Sequence, residues 1–230
     1  MIVLDLVREH TILSAVIGSQ AYGLAGPDSD EDRRGVYAAP TELFWGMVKP
    51  PDSVEGPQPE RLSWEVEHFC LLALKANPTV LELLVTPLVE ECTDAGRELR
   101  ELLPAFLSQR AVKSFRRATE QQLTRAAAAL AEGGELKWKQ VMHSLRLLLV
   151  GEHLVRTGEL VVDARAHREE LLSVKAGERD WDTVRTRAVG LFADIELAEA
   201  DSPLAPMPDR AAVERWLVSV RRRSVEGKLT

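Results

Sequence analysis

The chain has 230 residues, enough for one large domain or two small ones with a proper core. Hydrophobic residues are 45% and charged residues 28%, as in an ordinary globular protein, and no apolar run approaches the ~20 residues of a membrane span. A net charge of −7 argues against a nonspecific coat on nucleic acid, and a membrane partner is not expected.

The opening MIVLDLVREH carries acids close to its start and no small-residue cleavage site, so the expectation is a cytoplasmic protein. Residues 2–9 suit a helix or a strand. Residues 11–17, TILSAVI, are β-branched and apolar and predict a buried strand. That strand stops at Gly18-Ser19, and Gly23, Gly26 and Pro27 make residues 20–29 turn and loop. Residues 33–38 predict a second strand, residues 48–61 a loop or hairpin tip, and residues 62–66 a half-exposed strand. A helical period follows over residues 66–76. Asn77-Pro78 ends it, because the residue before proline disfavours a helix. Thr79 and Glu82 have the spacing of a capping box for the next helix. From there the pattern is nearly all helical: residues 108–132, 135–157, 167–176, 180–200 and 209–225, with Gly133-Gly134, Gly158 and Gly177 as breaks. Cys70 and Cys92 lack metal-ligand spacing and are expected to be structural.

The fold class expected is α+β, a small mixed β-sheet core with flanking helices followed by a helical C-terminal domain. The expected domains are 1–107 and 108–230, with the seam near residues 104–112. Charge divides at a similar place. Residues 1–109 hold 18 acidic and 8 basic side chains, and residues 110–230 hold 18 acidic and 21 basic. A cation-binding first half and an anion-binding second half fit that split.

The chemistry is concentrated in residues 18–32, GSQAYGLAGPDSDED. Asp30 and Asp32, two apart on an extended chain, point the same way. Two adjacent carboxylates repel unless a cation sits between them, and hard oxygen donors select Mg²⁺ or Mn²⁺. A Gly-Ser turn directly after a buried strand exposes backbone amides and a hydroxyl, which suits phosphate oxygens. Asp28 and Glu31 are read as solvated or capping acids. A third carboxylate across the groove is assigned to Glu65, with Glu67 as the alternative because both share a face. Lys139, His143 and Arg146, spaced i, i+4 and i+7, share one helix face, read equally as a cationic stripe for the triphosphate or acceptor and as a solvated face. Arg110, Lys113, Arg116, Arg117 and Arg125 offer a further basic face, read first as a solvated surface and second as a guide for an RNA backbone.

The stretch of GS, ten residues, then DxD resembles the signature of the polymerase β nucleotidyltransferase superfamily. The string GSQAYGLAGPDSDEDRRGVY is similar to one branch, the minimal nucleotidyltransferases linked with RNA repair, whose pattern is GS-x-AYGL-x-x-PDSD-x-D-x-RGV. WEVEHFCLLALKANPTVLELL, residues 64–84, resembles that branch's second block, and Lys139, His143 and Arg146 a helical block further on. The resemblance implies that Gly18 and Ser19 touch nucleotide phosphates, together with Lys139, His143 and Arg146. It implies that Asp30, Asp32 and Glu65 hold Mg²⁺ or Mn²⁺. The implied reaction moves a nucleoside monophosphate from a triphosphate to an acceptor hydroxyl, foremost an RNA end. A protein or small-molecule acceptor is the alternative, as is a nucleotide-binding module of toxin–antitoxin type without turnover. Gln20 stands where the branch has arginine, Arg33 where it has an apolar residue, and Glu65 where it has aspartate.

Overall fold

The computed structural model describes residues 3–27, 29–56 and 60–229. Ile2 of the first expected element, Asp28 of the turn and residues 57–59 of the expected loop lie outside them. Two compact units divide the chain: residues 1–106 with 208–230, and residues 107–207.

In the first unit α1 (Val3–His10) turns Leu6 and Val7 inward and runs straight into β1 (Thr11–Ile17), every residue of which is buried. β2 (Asp32–Tyr37) returns antiparallel to β1, with Ile17 opposite Asp32. After β3 (Ser53–Glu55), β4 (Arg61–Glu65) pairs parallel with β2, Arg33 facing Arg61 and Tyr37 facing Glu65. α2 (Val66–Leu74) and α3 (Pro78–Val85) lead to β5 (Val89–Cys92), the other neighbour of β1. The sheet order is β3-β4-β2-β1-β5, a small mixed sheet with helices around it, so the α+β architecture is the one found.

Local chemistry sets several boundaries. Asn77, not Thr79, caps α3: its side chain accepts from the Val80 amide and Pro78 sits at the first helical position, where no amide is needed. α4 (Asp94–Glu101), capped by Thr93, begins so close to β1 that a Cβ on Gly96 would lie 2.0 Å from the Ile12 carbonyl oxygen. Any side chain there would push the helix off the strand. α5 (Leu103–Phe106) ends this run of the chain.

The second unit is helical. α6 (Gln109–Ala131) packs on α7 (Trp138–Thr157), and α7 packs on α8 (Arg168–Lys175) and α9 (Trp181–Ala198). Phe115, Leu145, Leu148, Leu154, Leu171 and Ile195 are among its fully buried side chains. Each contributes roughly 1.5–3 kcal/mol relative to exposure. α7 stops at Gly158, whose φ of 76° is the left-handed cap that closes a helix.

The helical domain expected to run to the C-terminus ends sooner. α10 (Arg210–Val225) returns to the first unit and packs on α2, α5 and the short helical turn Thr41–Phe44. Its partners there explain the return. Arg223 and Trp216 bond Glu98 of α4, and Arg221 bonds Glu65. Among the described residues no single helix is long and apolar enough to cross a membrane.

Candidate functional site

β1 delivers the chain to a tight turn. The Tyr22 amide donates to the Gly18 carbonyl at 3.0 Å and the Leu24 amide to the Ser19 carbonyl at 2.9 Å. Ala21, Tyr22 and Leu24 fold inward, while Gly18, Ser19 and Gln20 stay partly open. Gly18 has a φ of 72°, a conformation glycine takes without cost. Its missing side chain matters more. A Cβ at Gly18 would lie 2.5 Å from Asp32 Oδ2. The aspartate carboxylate therefore rests directly against the Gly-Ser turn, and residues fourteen apart in sequence form one site.

The other Asp32 oxygen faces a cation. Arg34 Nη2 lies 3.4 Å from Asp32 Oδ1, and Arg34 Nη1 donates to the carbonyls of Arg33 at 2.8 Å and Glu60 at 2.7 Å. The Arg33 amide also donates to Glu60 O, at 3.2 Å. The β2–β4 pairing thus sets the Glu60 backbone, through its carbonyl, beside the start of β2. Glu60 is exposed and holds a φ of 60°, a left-handed conformation that costs a non-glycine residue about 1–2 kcal/mol. Asp30 lies two residues before the strand and is exposed. Arg33 points elsewhere, to Glu90 at 2.9 Å and to Glu31. Those hydrogen bonds hold its guanidinium above the ordinary arginine value. Among the described residues, no three histidine, cysteine or acidic side chains form a preformed metal cluster.

Glu65 does not join this group. It faces Tyr37, five residues along β2 from Asp32, roughly 16 Å up the sheet. Its carboxylate is 3% exposed and already committed. Arg221 binds it in a two-pronged pair at 2.9 Å on both oxygens, and the Glu67 amide donates to it at 2.8 Å as the cap of α2. The Arg221 guanidinium also sits 4.2 Å over the Phe44 ring. Glu67, the alternative, is exposed at the same remote end and lies 3.4 Å from Arg221. Neither acid meets Asp32, because the parallel register sends the end of β4 away from the start of β2. The nearby Cys70 thiol is pushed up to about 12 by burial, so it is a core group.

In the second unit Lys139 and His143 are exposed on α7, but Arg146 is completely buried. The expected stripe of three therefore has two members at the surface, since α7 turns its Leu-rich face inward at Arg146. On α6, Arg110, Lys113, Arg117 and Arg125 are exposed, whereas Arg116 is paired with Glu199 at 3.0 Å. A cleft of about 310 Å³ between α6 and the start of α7 is lined by Gln122, Arg125, Lys137 and Gln140 over Ala126 and Leu136.

The register that brings Glu60 to the start of β2 could have been suspected from its place five residues before Glu65, at the mouth of the same strand. Composition alone does not separate the two.

Over residues 6–219 the chain matches the family described as RlaP, RNA repair pathway DNA polymerase beta family. It is 28% identical over 176 residues to the uncharacterized protein YcgL of Bacillus subtilis (strain 168). That alignment covers 74% of this chain and 66% of the relative, so it spans just under two thirds of the relative's length. No solved structure matches the chain.

Proposed function

The chain belongs to the RNA repair pathway DNA polymerase beta family, and on that footing we propose that it moves a nucleoside monophosphate from a triphosphate to a hydroxyl at an RNA end. The observation that carries the reading is the seat of Asp32 against Gly18, where any Cβ would displace the carboxylate. The β1–β2 register, with Ile17 opposite Asp32, sets the acid beside the turn. The two need to touch if one triphosphate bridges both.

The donor set suits Mg²⁺ or Mn²⁺. Magnesium is commonly held by one or two carboxylates together with substrate phosphates rather than by an all-protein cage. Asp32 and Asp30 would hold it, with Glu60 in place of Glu65 as the third acid. When bound, the ion supplies charge neutralisation on the phosphates and lowers the pKa of the attacking hydroxyl. The chain's own residues do the rest. The Ser19 hydroxyl and the turn's backbone meet the phosphate oxygens, and the bare Gly18 lets them approach. Arg34 holds the Asp32 carboxylate and the Glu60 backbone carbonyl with one guanidinium, which ties the acid to the start of β4. Lys139 and His143, both exposed on α7, remain the second unit's own candidates for contact with phosphate. The exposed arginines and lysine of α6 would track an RNA backbone through its phosphates.

Labelled ATP, GTP, CTP and UTP, each with Mg²⁺ or Mn²⁺, offered together with RNA and total protein, tests the proposal. Label on RNA ends is the expected result, and label on protein alone moves the acceptor to a side chain. Binding of triphosphate with no pyrophosphate released favours a nucleotide-binding module without turnover. The Arg34 pairing of Asp32, a resident cation on the key acid, is the observation that speaks for that second reading.

A further inference from the structure

Glu82 lies on α3 and is 2% exposed. It does not cap that helix, because Asn77 does. A carboxyl group this deep is costly to bury unless it is hydrogen-bonded. It accepts a bond of 2.5 Å from the Tyr22 hydroxyl. Tyr22 is 7% exposed and is held at its other end too, where its amide donates to the Gly18 carbonyl at 3.0 Å. One residue thus spans from the glycine beside Asp32 to the interior helix.

α3 grips the same stretch of chain a second time. The Thr86 hydroxyl donates to the Val16 carbonyl at 2.7 Å, one residue before the end of β1. Ile17, Gly18, Ser19, Gln20 and Ala21 lie between the two grips. The turn is therefore pinned on both sides by one rigid helix, with only its outer residues left open.

We infer that the Tyr22–Glu82 pair is a strut that sets the Gly18-Ser19 turn against Asp32 and thereby positions the phosphates of a triphosphate. This rests on the nucleotidyl-transfer reading of the same site. The two residues are positioning residues, acting through the turn. A polar pair that merely fills the core would alter melting temperature and leave the turn as it is.

The test uses the full chain as wild type, Tyr22→Phe, Glu82→Leu and Glu82→Gln. Amide hydrogen exchange is read without ligand, and binding of ATP, GTP, CTP and UTP is read with Mg²⁺. Tyr22→Phe and Glu82→Leu are expected to speed exchange of the Tyr22 and Leu24 amides and to weaken triphosphate binding, each by about tenfold. Amides of α7 serve as the unchanged reference. Glu82→Gln keeps an acceptor oxygen for the Tyr22 hydroxyl and is expected to behave as wild type. Turn exchange in Tyr22→Phe equal to wild type overturns the strut, whatever Glu82→Leu does to folding. So does a Glu82→Gln variant as damaged as Glu82→Leu. A wild-type chain that binds no triphosphate, with the exchange pattern as expected, instead overturns the nucleotide reading and the phosphate role with it.

Discussion

β2 and β4 run side by side, and each end of the pair presents an acid. At one end Asp32 is about a third exposed, shares one 3.4 Å contact with Arg34, and opens onto a bare glycine. At the other end Glu65 is buried, doubly bonded to Arg221, and caps a helix. The residue types are nearly the same, although Asp32 stands in a charged run and Glu65 between Trp64 and Val66. What separates them is how much of each carboxylate's bonding capacity the fold has already consumed. An acid with its lone pairs filled by a guanidinium and an amide stabilises the fold. An acid left partly open at the mouth of a phosphate-sized turn is poised for a ligand.

That contrast yields opposite mutational signatures. Asp32→Ala is expected to lower nucleotidyl transfer roughly a thousandfold or more while leaving the melting temperature nearly unchanged. Transfer of labelled nucleotide at the wild-type rate would erase the distinction between the two ends. Arg221→Met should do the reverse. It leaves Glu65 buried without its charge partner, a loss of about 3–5 kcal/mol of stability, visible as a melting shift of several degrees. A denaturant midpoint equal to wild type would show that Glu65 is not held as described. Gly18→Ala places a methyl group where Asp32 Oδ2 lies and forces a left-handed φ. Triphosphate binding by calorimetry should weaken by about tenfold or more as the carboxylate is displaced, and the left-handed φ adds a stability cost of about 1–2 kcal/mol. Undiminished affinity would separate the turn from the acid. The smallest effect concerns pH. Arg223 and Trp216 hold the Glu98 carboxyl below its ordinary value of 4.5. A depressed folded value adds stability above the unfolded pKa, and that stability is lost as pH falls through the folded one. A Glu98→Gln variant should therefore lose less stability than wild type between pH 5 and about pH 3 in acid titrations followed by circular dichroism.

Legibility in the sequence follows the range of the interactions. β1 shows itself because five apolar residues among seven, all of them buried, need no partner to be recognised. The Gly-Ser turn and the aspartates show themselves because their spacing is local. The third acid does not. Glu60 and Glu65 differ only through the pairing of β4 with β2 and through an arginine 156 residues further on. Glu82 has the spacing of a capping box with Thr79, yet Pro78 shifts the helix start so that Asn77 caps it, and the carboxyl turns inward to Tyr22. β5 spans four residues, Val-Glu-Glu-Cys, too short and too polar to announce a strand. Arg146 shares a helix face with Lys139 and His143 by spacing, but the width of the Leu-rich stripe on α7 decides which of them reaches water.

The return of α10 to the first unit has a consequence for how the protein is made. Glu65 leaves the ribosome long before the arginine that neutralises it. At about 5–20 residues per second, the 156 residues from Glu65 on to Arg221 take roughly 8–30 s to synthesise. For that interval the β4–α2 junction holds an acid with no guanidinium to meet it, so the N-terminal unit makes its last contacts only after α10 is synthesised. It must wait while a whole helical unit is synthesised between its two parts, and the last helix is the piece that completes it.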